Sequence, residues 1–176
     1  MKTISIDPSL TGTAVCIYNN NYKFYLFHTE KNNNEFQSID YTLRLSSLID
    51  KIKNSMDNEV KWGAVEGLSF GSIGRMAELG GLSYFIRKMF IDSNISFIIV
   101  PPTVLKKYWT GKGNASKIDM IAESMKKNIE IPFTKKYNKV ELYDDNCVDA
   151  LALSFFLKDY LSNKNSFIDK IEIYKS

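Results

Sequence analysis

Four carboxylates stand where carboxylates are costly. Asp7 closes the β-branched run TISID, and Glu66 closes KWGAVE; each follows directly on an apolar residue, Ile6 or Val65. Asp145 and Asp149 lie in DDNCVDALALSFFL, residues 144–157, where three acids precede or interrupt a nearly continuous apolar run. A carboxylate among apolar groups is unfavourable unless it is paired, hydrogen-bonded or bound to a metal. Asp144 and Asp145 suit a helix N-terminus, where an acid caps free N–H groups and meets the positive end of the dipole. Asp149 lies beyond the first helical turn, so capping does not explain it. Asp145 and Asp149 are four apart and share one helix face. Two strand-end acids and this helix pair would converge if their strands are neighbours. Their mutual repulsion would then call for divalent cations, and an all-oxygen donor set suits Mg²⁺ or Mn²⁺.

The elements that must position these acids are legible in outline. Residues 3–7, 13–18 and 22–28 are short β-branched and aromatic runs separated by PSLTG and NNN, which is turn chemistry. They predict an antiparallel three-stranded meander. Residues 38–56 carry Ile39, Leu43, Leu45, Leu48, Ile49 and Ile52 at near-helical spacing. A buried strand at 61–66, a helix at 73–92 and a strand at 95–100 follow, the last halted by Pro101 and Pro102. Helices are expected at about 103–109 and 115–128, joined by the flexible GKGNAS, and at about 146–162. Residues 133–143 read as a loop, and 163–176 carry no assignment. A meander followed by βαβ crossovers implies an α/β fold: a mixed five-stranded sheet, three antiparallel strands then two parallel, with helices on both faces.

At 176 residues and 44% hydrophobic, the chain is expected to form a single domain, 1–176, with a sizeable core. It has no apolar run near the roughly 20 residues of a membrane span and no signal-peptide core before Asp7, which predicts a soluble, cytoplasmic protein without a membrane partner. Cys16 and Cys147 fall in apolar segments and read as buried free thiols. The sole histidine, His28, lies in a strand and argues against a Ser-His-Asp hydrolase. Charge is unevenly placed. Residues 101–140 hold nine Lys against Asp119, Glu123 and Glu130, a net of +6, while the whole chain is only +3. A local basic block fits a nucleic-acid backbone, though a solvated lysine face reads equally well from charge alone.

Four segments resemble one family. SIDPSLTGTAV (5–15), VEGLSF (65–70), VPPTVLKKYWTGKGNASK (100–117) and DNCVDALALSFF (145–156) are similar, in order, to segments of the RuvC-type Holliday junction resolvases of the ribonuclease H-like superfamily. The resemblance implies a ribonuclease H-like fold in which Asp7, Glu66 and Asp149 are catalytic, metal-binding acids. In the bacterial pattern a fourth ligand stands three residues before the final Asp. Here that position is Asn146, so Asp145 is the favoured fourth ligand, Asn146 the runner-up and Asp144 a third choice. Lys106 and Lys117 match lysines linked to phosphate contact and transition-state stabilisation. Lys107 and Lys112 join them as expected DNA contacts, and Phe70 is placed where an apolar residue can wedge against junction bases.

The function so implied is an Mg²⁺-dependent endodeoxyribonuclease that nicks four-way DNA junctions. Two Mg²⁺ ions per site, or Mn²⁺ in their place, would serve the hydrolysis, about 3.5–4 Å apart, leaving 5′-phosphate and 3′-hydroxyl ends. No small-molecule cofactor is expected. Symmetric nicks need two sites, and the resemblance implies a homodimer. SIGRMAELGGLSYFIRKMFI (72–91) offers Met76, Leu79, Leu82, Ile86, Met89 and Phe90 as a stripe for that contact, or for the monomer's own sheet. A Lys- and Asn-rich composition with three Arg fits an AT-rich genome, hence a phage or prophage version acting in a bacterial host's cytoplasm. The competing readings are a fork or flap nuclease of the same fold, an actin-like ATPase fragment, and an inactive DNA-binding module.

Overall fold

The computed structural model describes residues 1–30, 36–68, 76–137, 140–164 and 166–176. The N-terminal runs form the expected meander, β1 (Lys2–Asp7), β2 (Thr13–Asn19) and β3 (Asn21–Phe27), with β1 antiparallel to β2 and β2 to β3. Helix α1 (Gln37–Ser55) crosses to β4 (Val60–Glu66), which pairs parallel to β1, and α2 (Met76–Asp92) crosses to β5 (Ser96–Val100), parallel to β4. β1 thus lies inside the sheet, and its last five residues are buried.

The sheet has six strands, in the order β3-β2-β1-β4-β5-β8, one more than the sequence predicts. The extra strand comes from the unassigned tail. After a 3₁₀ turn at Ile168–Lys170, β8 (Glu172–Tyr174) pairs antiparallel with β5, and Tyr174 stacks on Phe97 with ring centroids 5.1 Å apart. Three residues are too few to show an alternation, and the partner lies far away in sequence. The predicted loop at 133–143 is instead an antiparallel hairpin of β6 (Phe133–Tyr137) and β7 (Val140–Tyr143), separate from the main sheet. Its lysines hide the period-2 pattern that would have signalled it.

Helices cover both faces. On one, Leu45, Leu48 and Ile52 of α1 and Leu82, Ile86, Met89 and Phe90 of α2 are buried in a shared core with β1 and β4. Of the stripe offered by 72–91, Leu79, Leu82, Ile86, Met89 and Phe90 pack on the monomer's own sheet, while Tyr84, Phe85 and Ile91 are exposed; residues 72–75 and the Met76 side chain lie outside those described. Gly63 of β4 permits this packing, since a Cβ there would lie 2.7 Å from Phe90 Cε2. In α1, Ile39 and Leu43 are exposed, so the buried stripe is narrower than the sequence suggests.

The other face carries α3 (Pro102–Thr110), α4 (Lys117–Met125) and α5 (Asp145–Leu161). α5 is buried nearly all round, between the sheet and the two shorter helices. This explains why its apolar run is continuous rather than striped. α3 ends at Gly111, whose φ of 82° is the left-handed conformation that glycine adopts without penalty. α4 starts at Lys117 on a capping box: Ser116 Oγ accepts from the Asp119 N–H, and Asp119 Oδ2 accepts from the Ser116 N–H at 2.8 Å.

Candidate metal centre

Two of the acids are brought together by strand register alone. Ile6 of β1 lies beside Val65 of parallel β4, so Asp7 and Glu66 leave adjacent strand ends side by side. Asp149 arrives from above. Ser5, fully buried in β1, donates its hydroxyl to the Ala150 carbonyl at 2.9 Å, which seats the first turns of α5 over the end of β1. The result is a cluster in which carboxylate oxygens of Asp7, Glu66 and Asp149 all lie within 4.8 Å of one another.

Charge is expensive here. Burial, then the neighbouring Glu66 and Asp149 charges, hold the Asp7 carboxyl well above the usual carboxylate range, and it is hydrogen-bonded to Glu66. Burial also raises Glu66, against the lowering effect of the Asp7 hydrogen bond and of Lys106. Asp149 is pushed up to about 7, first by burial and then by Glu66 and Asp145, with Lys106 and Lys117 opposing. Three hard-oxygen donors that repel one another, Asp7 buried and Glu66 and Asp149 half-buried, are the chemistry a divalent cation relieves. The residues therefore fit a metal of the Mg²⁺ or Mn²⁺ type.

The start of α5 separates three residues that the sequence leaves as alternatives. Asp144 is the helix cap, its Oδ1 accepting from the Cys147 N–H at 3.0 Å. Asp145 lies outside the triad and pairs with Lys117, though its charge still reaches Asp7 and Asp149. Asn146 donates from Nδ2 to the Gly12 carbonyl at 2.8 Å. A cleft of about 440 Å³ beside the cluster is lined by Thr11, Gly12, Leu26, His28 and residues 144–146.

Among the predicted lysines, the structure brings Lys106 and Lys117 within electrostatic reach of the acids. Lys117 is the first residue of α4, so the capping box that starts this helix also places the lysine beside Asp145. Lys107 and Lys112 are exposed and make no contact with the cluster among those described. Phe70 lies outside the described residues. His28, expected in a strand, follows β3 and faces the Thr11 carbonyl at 2.7 Å, a structural role. Cys16 and Cys147 are buried free thiols, and burial pushes the Cys16 thiol up to about 12. Two site-building residues escape a sequence reading. Ser5 gives no signal within a strand, and Gly12 looks like ordinary turn glycine. Asn146, expected as the runner-up for a fourth ligand three residues before Asp149, instead donates to the Gly12 carbonyl, a partner that spacing along the helix does not show.

No protein-family model and no curated protein matches this sequence. Solved structures do. The chain is similar to the Thermus thermophilus RuvC structure with a TM-score of 0.60 and 16% identity, over 93% of this chain and 98% of that one. It is also similar to T. thermophilus RuvC in complex with Holliday junction substrate, with a TM-score of 0.64 and 12% identity, over 99% of both chains. At such identities the likeness establishes the fold: this chain has the ribonuclease H-like architecture of RuvC along its length. No helix among the described residues is long and apolar enough to cross a membrane.

Proposed function

We propose that this chain is a metal-dependent endonuclease that nicks four-way DNA junctions. The observation that carries the proposal is the triad of Asp7, Glu66 and Asp149, within 4.8 Å at one end of a sheet whose fold is that of a protein solved with a Holliday junction. Asp7, Glu66 and Asp149 would hold Mg²⁺, with Asp145 at the margin of the set. When bound, the cation supplies Lewis-acid activation of the phosphodiester and of the water that hydrolyses it.

The chain's own groups do the rest. β1, β4 and α5 hold the three carboxylates without flexible loops, so little reorganisation is needed on substrate arrival. Lys106 and Lys117 bring positive charge to the rim, where non-bridging phosphate oxygens accumulate charge during hydrolysis. The Lys117 side chain is 75% exposed and its pairing with Asp145 is solvent-screened. Such a pair stabilises by only about 0–1 kcal/mol, which leaves Lys117 available to a phosphate. Lys107 and Lys112 would contact the DNA backbone further out. Products would carry 5′-phosphate and 3′-hydroxyl ends.

A four-way junction is two-fold symmetric, and paired nicks need two sites, so the proposal includes a homodimer. Since the buried stripe of α2 is occupied by the monomer's core, the contact would use the outer face, where Tyr84, Phe85 and Ile91 are exposed.

The test is nicking of a synthetic four-way junction with Mg²⁺ and with EDTA, beside fork, flap and linear duplex controls. Paired, Mg²⁺-dependent nicks in the junction are expected, and Asp7→Asn should lower their rate by about 10²-fold or more. Equal cutting of forks and flaps would make the protein a broader branched-DNA nuclease on the same chemistry. Full Mg²⁺-dependent activity in Asp7→Asn would refute the assignment of the triad.

A further inference from the structure

The turn that follows Asp7 is held from every side. Four successive carbonyls each meet a different side chain. Ser9 O accepts from Thr13 Oγ1 at 2.7 Å, and Leu10 O from Thr29 Oγ1 at 2.6 Å. Thr11 O lies 2.7 Å from His28 Nδ1, which must therefore be the protonated ring nitrogen, and Gly12 O accepts from Asn146 Nδ2 at 2.8 Å. Thr29 is in turn gripped by Arg44 of α1, whose Nε and Nη2 lie 3.1 and 2.8 Å from its hydroxyl. The turn is thus tied to α1 on one face of the sheet and to α5 on the other. Carbonyls on a partly exposed turn can be satisfied by water. Four directed side-chain bonds imply that the turn's position matters.

What the turn positions is Asp7, with Pro8 between them. Asn146 and Asp149 are three apart on α5 and share a face. One reaches the turn that follows Asp7, and the other reaches Asp7's own carboxylate cluster. The approach is close: a Cβ at Gly12 would lie 3.3 Å from Asn146 Nδ2 and 3.5 Å from His28 Cε1. Ser5 to Ala150 is a second tie to α5, made by β1 on the other side of Asp7 along the chain.

We propose that Asn146 is a positioning residue that bonds the Gly12 carbonyl as a donor, and so fixes the turn after Asp7 on α5 and Asp7 against Asp149. A carbonyl can only accept, so the amide nitrogen must face it, and a carboxylate at 146 could not replace it. In this role Asn146 acts on the metal site through the turn, by its Nδ2. The catalytic consequence rests on the nuclease reading; the brace itself does not.

Asn146→Ala and Asn146→Asp in the intact chain test this. Asn146 is half-exposed at a helix start, and both variants should keep the fold. In the metal-free protein, ¹⁵N order parameters of residues 9–12 should fall from the rigid value of about 0.85 toward about 0.6 in both variants. With Mg²⁺ and junction DNA, kcat should fall about 10-fold or more in both, as for other groups that orient metal ligands, while KM stays within about twofold. Asn146→Asp at or above the native rate and Mn²⁺ affinity, with Asn146→Ala lowest, would make 146 a ligand position and overturn the proposal. Unchanged order parameters in both variants would overturn it as well. If the native chain nicks nothing, the nuclease reading fails, and the relaxation measurement alone still decides the brace.

Discussion

Neighbouring side chains at the head of α5 divide the work by geometry. Asp144 caps the helix, Asp145 meets Lys117, Asn146 holds Gly12, and one turn on Asp149 joins Asp7 and Glu66. The triad makes the metal-free protein pH-sensitive in a stated direction. Asp149 titrates at about 7 in the fold, against about 3.9 for an unfolded aspartate. Between those values the folded chain binds more protons than the unfolded one, so stability falls as pH rises through this window. One such group contributes up to about 1.4 kcal/mol per pH unit, and the raised Asp7 and Glu66 act in the same sense. In EDTA the Tm should therefore be lower at pH 8 than at pH 5. Saturating Mg²⁺ should restore it at pH 8 and do little at pH 5, where protons compete for the carboxylates. A Tm in EDTA that rises from pH 5 to pH 8 would contradict a partly desolvated, mutually repelling triad.

At the scale of elements, the site depends on how closely helices approach the sheet. Gly63 lets the Phe90 ring of α2 approach β4 closely, because a Cβ there would come within 2.7 Å of the ring. Gly63→Ala should cost about 1–3 kcal/mol through overpacking and lower the Tm by about 2–4 °C per kcal/mol. Gly80 is the opposite case, since a Cβ there meets nothing within 4 Å. Gly80→Ala should stabilise the isolated chain by up to about 1 kcal/mol, the helical penalty of glycine. Thermal unfolding of the two variants side by side checks both signs. Destabilisation by Gly80→Ala, dependent on protein concentration, would instead place a second copy against α2.

At the scale of the whole molecule, a locally basic segment lies beside the acid cluster. Asp7, Glu66 and Asp149 converge at two strand ends and one helix, while residues 101–140, which include α3 and α4, carry a net +6. Lys106 and Lys117 lie where these regions meet. If the basic segment tracks a DNA backbone, junction affinity should weaken steeply with salt. Replacing one contacting lysine, as in Lys106→Gln, should make the slope of log K against log salt shallower by about 0.9. Fluorescence titrations between low and moderate salt measure this. An unchanged slope would remove Lys106 from the contact.

The sequence by itself determined the order of the first five strands and their crossover helices, the strand ends that carry Asp7 and Glu66, and the acid that capping could not explain. Those features are local: β-branched runs, turn residues, and an i, i+4 relation on one helix. It did not determine the sixth strand, because three residues of β8 acquire meaning only beside β5. The β6–β7 hairpin was masked by its lysines. Nor could spacing choose among Asp144, Asp145 and Asn146, which stand one after another and differ in role only through what lies opposite them. The Cys147 N–H comes from the helix itself, Lys117 from the start of α4, and the Gly12 carbonyl from 134 residues away in the chain. Tertiary structure decided those partners, because a side chain's chemistry sets what it can bond, and only the packing of α5 on β1 sets what it can reach.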